Sequence, residues 1–314
     1  MGGQDEKKGR LDFALWIKAG PEHLMQWPSP WGMGFPGWHI ECSAMSEKYL
    51  GKQFDIHGGG MDLAATHHTN EIAQSQACYH VSPVRYWVHT NMLTVNGVRM
   101  SKSAGNGFLP EELFSGSHPL LAKAYSPMNV RFFMLQTHYR STLDFSNDAL
   151  QAAEKGLKRL WEAYESLNKL AIGNGQLAID EELDNKIKKL VAEFDENMND
   201  DFNTAKVLAS MFELVPIINS IKDKTISIAS VSAETLALMK SKFKSYLEDV
   251  FGLKAVNEAD NKKLEGIMQL LIDIRKDAKG KKDFVTSDKI RNQLSELGIS
   301  LKDEKGGEMS YSFE

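Results

Sequence analysis

The sequence is poor in three things. Cysteine occurs only at Cys42 and Cys78 in 314 residues, so no disulfide framework is expected and a reducing compartment fits. Positive charge is not in excess either: the net charge is −5, which gives no global pull toward nucleic acid and leaves that role to local patches. Long apolar runs are missing as well. The opening M-G-G-Q-D-E-K-K-G-R is polar, neither a secretory leader nor a membrane span is read from it, and a cytoplasmic location is expected. With 42% hydrophobic content, a chain of this length buries a sizeable core and more than one domain.

What is there gathers between Trp38 and Asn106. This block reads W-H-I-E-C at Trp38 to Cys42, D-I-H-G-G-G-M-D-L at Asp55 to Leu63, H-H-T-N-E at His67 to Glu71 and R-M-S-K-S at Arg99 to Ser103. Its pattern alternates between strand and helix. His67 and Glu71 are four apart, which places them on one helix face. With the thiolate of Cys42 they make a set of three acceptable Zn²⁺ donors, and three protein ligands with one open position is the arrangement of a reactive zinc. His68 is the alternative histidine ligand. Taken alone, the spacing reads better as a small buried apolar Cys42 and a histidine pair that begins a solvated helix.

A second constellation suits a nucleotide. Gln53 to His57 reads as a short strand, and Gly58, Gly59 and Gly60 as a turn in which the absent side chains let a ligand approach the backbone. That turn falls at a strand's carboxyl end, where open α/β sheets place their ligands. Asp62 is positioned to accept hydrogen bonds from ribose hydroxyls. Downstream, R-M-S-K-S-A-G-N sets Lys102 among small residues in a loop, where an ammonium can stabilise charge developing on a transferring phosphate.

Together these segments resemble one family, cysteinyl-tRNA synthetase, a class I aminoacyl-tRNA synthetase. The match runs through P-G-W-H-I-E-C-S-A-M at Pro36 to Met45, the D-I-H-G-G-G segment, H-H-x-N-E-I-A-Q-S at His67 to Ser75 and R-M-S-K-S-x-G-N at Arg99 to Asn106. It continues through Arg131 to Ser141, M-N-D-D-F-N-T-A at Met198 to Ala205 and the tail from Lys282 to Arg291. Ala65, Thr66 and Thr69 stand where the family usually has Phe, Pro and Glu, and Arg99 replaces the first Lys of K-M-S-K-S. The family's H-I-G-H motif and a further zinc-binding cysteine have no counterpart in these 314 residues. The chain therefore reads as the carboxyl-terminal portion of such an enzyme.

The resemblance implies one Zn²⁺ on Cys42, His67 and Glu71, and Trp38 walling the amino-acid pocket. It implies ATP, with Mg²⁺, held by His57, Gly58, Gly59, Gly60, Asp62, Arg99 and Lys102, with Lys102 catalytic. The activity implied is ATP-dependent activation of L-cysteine and its transfer to tRNA(Cys) by a monomer. Two alternatives stand beside it: a noncatalytic tRNA-binding fragment, and a related cysteine ligase acting on an amino sugar.

The rest of the chain is read in order. Residues 27–38, rich in Trp, Gly and Pro, read as a loop, Trp87 to Val95 as a strand, the 115–127 stretch as an exposed loop and Arg131 to Arg140 as helical. Beyond Ser146, Leu150, Ala153, Leu157, Leu160, Trp161, Tyr164 and Leu167 recur at helical spacing. A turn at Gly173-Asn174-Gly175 follows, then helices over 180–198, 204–221 and 233–251, for which a four-helix bundle is the economical arrangement. A last helix carries Leu264, Met268, Leu271 and Ile274 on one face. A basic loop with Lys276, Lys279, Lys281 and Lys282 comes next, and then a helix capped by Ser287 or Asp288 and holding Arg291. By composition that loop is a solvated surface; by resemblance Lys279, Lys281, Lys282 and Arg291 contact tRNA. The expected fold class is α/β plus all-α: the second half of a Rossmann-like catalytic domain (1–108), a connector (109–145), a helical bundle (146–257) and a small C-terminal anticodon-binding domain (258–314).

Overall fold

The computed structural model describes residues 7–9, 11–101, 103–171, 179–255, 258–297, 299–303 and 309–313. The chain forms two compact units, one of residues 1–105 with 137–146 and one of residues 106–136 with 147–314.

The first unit is mixed α/β. A short antiparallel pair, β1 (Trp16–Lys18) and β2 (Gly34–Pro36), precedes α1 (Trp38–Leu50). Thus a piece of the stretch read as a loop is a strand. The central feature is β3 (Phe54–Gly60) paired in parallel with β4 (Val84–Thr90). Between them runs one helical stretch: α2 (Met61–Leu63), a π-helical turn (Ala64–His68) and α3 (Thr69–Tyr79). This βαβ unit is where a parallel pairing requires a helical crossover. Gly58, Gly59 and Gly60 do not form a turn; they continue β3, opposite Val88, His89 and Thr90. The backbone hydrogen bonds of the ladder keep the glycines extended, and the chain turns into helix only after Gly60. The strand expected over 87–95 is likewise two strands, β4 and β5 (Leu93–Val95). β5 pairs antiparallel with β6 (Val98–Arg99) across a turn in which Asn96 and Gly97 both have positive φ, and in parallel with β7 (Leu143–Phe145). Asn-Gly is the pair that such a two-residue hairpin turn favours.

Among its described residues, the second unit is helical apart from one hairpin. After α4 (Pro110–Ser115) and α5 (Pro127–Leu135) come four long helical runs: α6 (Asn147–Lys169), α7 (Glu181–Asn199), α8 (Thr204–Lys222) and α9 (Ala233–Lys244), the last continued by a π-helical turn (Ser245–Val250). The stripe read along α6 is buried as expected, with Trp161 only half-buried. The turn expected at 173–175 lies outside the described residues. Each of α7, α8 and α9 starts at a polar cap, with Asp180, Asn203 and Ser232 accepting from backbone N–H groups one turn on. α8 is long and apolar enough, at mean hydropathy 1.3, to pass for a membrane span. In the fold its Val207, Met211, Leu214 and Ile218 are fully buried against α6 and α7.

The C-terminal elements are α10 (Glu258–Gly280), α11 (Phe284–Glu296) and the antiparallel hairpin β8 (Ile299–Asp303) and β9 (Met309–Phe313). They close on Met268, Leu294 and Ile299, with Leu271, Ile290 and Tyr311 packed around them. The basic loop is shorter than the composition implies. Lys276 and Lys279 belong to α10, where cations at a helix C-terminus offset the dipole; only Lys281 and Lys282 lie beyond it. The cap of α11 is Asp283 rather than Ser287 or Asp288, its carboxylate accepting from the Thr286 N–H at 3.1 Å.

Candidate metal and nucleotide site

Cys42 on α1, His67 at the end of the π-helical turn and Glu71 in the first turn of α3 point their donor atoms at one place. The three ligand atoms all lie within 4.8 Å of one another. α1 and α3 are held side by side, with the Ser43 hydroxyl donating to Gln74 Oε1 at 2.5 Å. The π-helical turn carries two neighbouring histidines into the site. Here both His67 and His68 are buried, at 6% and 3% exposure. The hydroxyls of Thr66 and Thr69 donate to the carbonyls of Asp62 and Ala65, four residues back, a pattern that bends a helix locally.

The electrostatics suit a cation. Glu71 is 2% exposed, and burial pushes its carboxyl up to about 7. Its Oε1 lies 3.1 Å from His67 Nε2, yet at an angle that makes no hydrogen bond. Burial, and then the charges of Glu71 and Glu41, raise the Cys42 thiol. Burial and then His39 lower His67. A buried carboxylate oxygen without a partner, a thiol and a neutral imidazole are an unsatisfied set that a zinc ion satisfies. The residues present therefore fit the metal.

On the other side of Glu71 lies a group of rings, of which the sequence singled out His57 and His68 but not Trp87 and His89. His57 on β3 places Nδ1 3.7 Å from Glu71 Oε2. Its ring meets Trp87 at 4.7 Å and His68 at 4.8 Å between centroids. His68 Nδ1 is hydrogen-bonded to His89 Nε2 at 2.8 Å. Burial, followed by His57, His89 and His67, lowers His68 to about 4. The signal was present in the sequence: Trp87 and His89 are two apart on β4, so they share a face, and their rings are parallel within 3°.

The glycines divide by role. A Cβ on Gly59 would lie 2.6 Å from the His68 ring, so only glycine lets that imidazole close on the strand. Gly58 faces open space except for the Val88 carbonyl, and at Gly60 a Cβ would meet only the movable Asp62 carboxylate. Gly58 and Asp62 are exposed and adjacent to the ring group. Trp38 stands 63% exposed at the mouth, its ring 4.5 Å from that of His67. Arg99 is exposed at the end of β6, while Lys102 lies outside the described residues. In the second unit, Lys281 and Lys282 are exposed and Lys279 is partly so. Arg291 pairs with Asp288 at 3.2 Å.

With this geometry in place, comparison with known proteins is informative. Residues 1–155 match the family model described as "tRNA synthetases class I (C) catalytic domain", and residues 193–271 match the "DALR domain". A cysteine–tRNA ligase of Bacteroides thetaiotaomicron is 51% identical over 310 residues, covering 98% of this chain and 61% of the relative. Those of Cytophaga hutchinsonii and Chlorobaculum tepidum are 49% and 43% identical, covering 98% and 97% of the chain and 61% and 60% of the relatives. The chain thus spans about three fifths of the length of these relatives. Two family models in the expected order, and about half of all residues shared along almost the whole chain, place it plainly: the chain belongs to the class I tRNA synthetase family, cysteine type.

Proposed function

We propose that this chain acts in the ATP-dependent ligation of cysteine to its tRNA, and that it contributes the amino-acid recognition face, part of the nucleotide site and the helical tRNA-binding region. The observation that carries the reading is the convergence of Cys42, His67 and Glu71 beside an exposed Trp38. Zinc on these three residues supplies an open, thiophilic coordination position, which serine's harder oxygen cannot use as well as cysteine's sulfur.

The chain's own residues do the rest. Trp38 walls the pocket, its ring against that of the buried His67. His57 and the backbone at Gly58 to Gly60, with Asp62, hold the nucleoside part of ATP, and Arg99 and Lys102 meet its phosphates. Cysteine's carboxylate attacks the α-phosphorus, the bond to the bridging oxygen of pyrophosphate breaks, and cysteinyl-adenylate remains; a terminal ribose hydroxyl of tRNA then takes the acyl group and releases AMP. Positioning and charge stabilisation account for most catalysis at phosphorus. Mg²⁺ accompanies the ATP. In the helical unit, Lys279, Lys281, Lys282 and Arg291 form the tRNA contact. The divisions at residues 108, 145 and 257, a monomeric state and a cytoplasmic location belong to the same reading. An enzyme acting on an amino sugar has no use for a DALR domain, which favours tRNA as acceptor.

A cobalt-substituted protein tests the recognition step. L-Cysteine should change the visible spectrum of bound Co²⁺ and L-serine should not, and the response should vanish in the Cys42→Ala, His67→Ala double variant. An equal response to both amino acids, or one that survives the double substitution, overturns the reading.

A further inference from the structure

Glu71 has two carboxylate oxygens and two histidines face them. Oε1 lies 3.1 Å from His67 Nε2 on the Cys42 side, and Oε2 lies 3.7 Å from His57 Nδ1 on the other. Neither His57 Nδ1 nor Glu71 Oε1 has a hydrogen-bond partner, although both atoms are buried. Buried polar atoms left without a partner in this way are what a bound ion satisfies. A ring nitrogen of His68 joins His57 and Glu71 in a second group whose ligand atoms all lie within 4.8 Å of one another. His68 is also held as a ligand should be. Its Nδ1 is hydrogen-bonded to His89 Nε2 at 2.8 Å, which fixes the ring; in the tautomer in which His68 is the donor, its other nitrogen is a bare lone pair. Trp87 packs on both His57 and His68, at 4.7 and 4.6 Å between ring centroids, and so walls this side with an apolar surface.

We propose that Glu71 is shared by two cation positions, and that His57, His68 and Glu71 form a second site for a divalent transition ion of the zinc class. Two imidazoles and a carboxylate are a donor set that zinc, cobalt and nickel accept. The inference rests on the zinc reading above only through Glu71, whose carboxylate then bridges the two ions. The second site has no sulfur ligand, so it is the weaker of the two and fills after the first. His89 is its positioning residue, and Gly59 is the backbone position that admits His68 to it.

The two sites differ in their spectra. Titrating the metal-free chain with Co²⁺ should give two steps in the wild type, with a thiolate-to-cobalt charge-transfer band belonging only to the first. Cys42→Ser should remove that band yet still bind one ion per chain. His57→Ala together with His68→Gln should keep the band and lose the second step, and all three substitutions should abolish binding. Near-ultraviolet circular dichroism, to which this unit contributes Trp16, Trp27, Trp31, Trp38 and Trp87, checks that each variant keeps its fold, and His57→Gln replaces His57→Ala if it does not. The proposal is overturned if the wild type saturates at one ion and Cys42→Ser binds none. It is overturned equally if the ion left in Cys42→Ser is indifferent to His57 and His68. Failure of the Cys42 reading is a separate result, a wild type whose spectrum never carries the charge-transfer band.

Discussion

A buried carboxyl that titrates near 7 makes metal binding at this site a competition with protons. Burial holds Glu71 up to about 7 and also raises Cys42, so at mildly acid pH both carry hydrogen where the ion needs a lone pair. Zinc affinity should therefore rise with pH through about 7, and binding should release protons, which calorimetry in buffers of different ionisation enthalpy measures directly. Affinity flat from pH 6 to 8 would count against Glu71 as a ligand. For the metal-free fold the sign is opposite. A carboxyl whose folded pKa is raised favours folding below its unfolded value near 4.5 and loses that contribution as pH rises through about 7. Also at the scale of one residue, Gly59→Ala pushes a methyl into the His68 ring. Overpacking of this kind costs about 1–3 kcal/mol, so thermal unfolding should fall by several degrees while Gly58→Ala, which meets open space, changes it little. Equal effects at the two positions would contradict the close approach. The candidate donors were legible beforehand: Cys42, His67 or His68, and Glu71 come from donor chemistry and a spacing of four, with the choice of His67 resting on the resemblance. Which of the three glycines is required was not, because that depends on a ring brought in from nine residues away along the chain.

Elements read well where one periodicity ran without interruption. The α6 stripe repeats every three or four residues over nearly five turns, and the fold buries it as that pattern requires. Reading failed where two rules met. Three successive glycines suggest a turn, but the ladder to β4 holds them extended. Lysines in a run suggest a loop, but α10 extends to Gly280 and takes Lys276 and Lys279 with it. The π-helical turn was invisible because no sequence rule marks one. The end of α10 carries its own test. Lys279 in the last turn and Lys281 and Lys282 just beyond it form one positive edge, and Lys282 sits at φ 59°, a left-handed position that turns the chain sharply into α11. If this edge meets RNA phosphates, replacing the three lysines with Ala should weaken tRNA binding and flatten its salt dependence by about 0.7–0.9 for each phosphate no longer neutralised. Filter binding at several salt concentrations reads both. An unchanged slope would leave the edge as ordinary solvated surface.

At the scale of the molecule, the sheet is the part that argues for more than this chain displays. β3 and β4 form a two-stranded parallel sheet, and parallel sheets are found almost only where both faces are covered. Yet Ile56 on β3 and Tyr86 on β4 are 56% and 68% exposed and face one another in register, and Tyr49 and Leu50 at the end of α1 are 73% and 59% exposed. The chain spans 61% of the length of its relatives, and we propose that polypeptide corresponding to the rest of a relative would cover that surface and supply further phosphate-binding groups. The 314 residues assayed alone should then show no cysteine-dependent exchange of pyrophosphate into ATP, since each missing donor of that type is worth about 10²–10³ in rate. Adding a separate polypeptide that spans the remaining length of a relative should restore exchange and protect β3 and β4 from hydrogen exchange. Restoration should be lost with Lys102→Ala. Robust exchange by the 314 residues alone would mean that the two-stranded sheet already suffices, and that its exposed face serves something other than completing the catalytic domain.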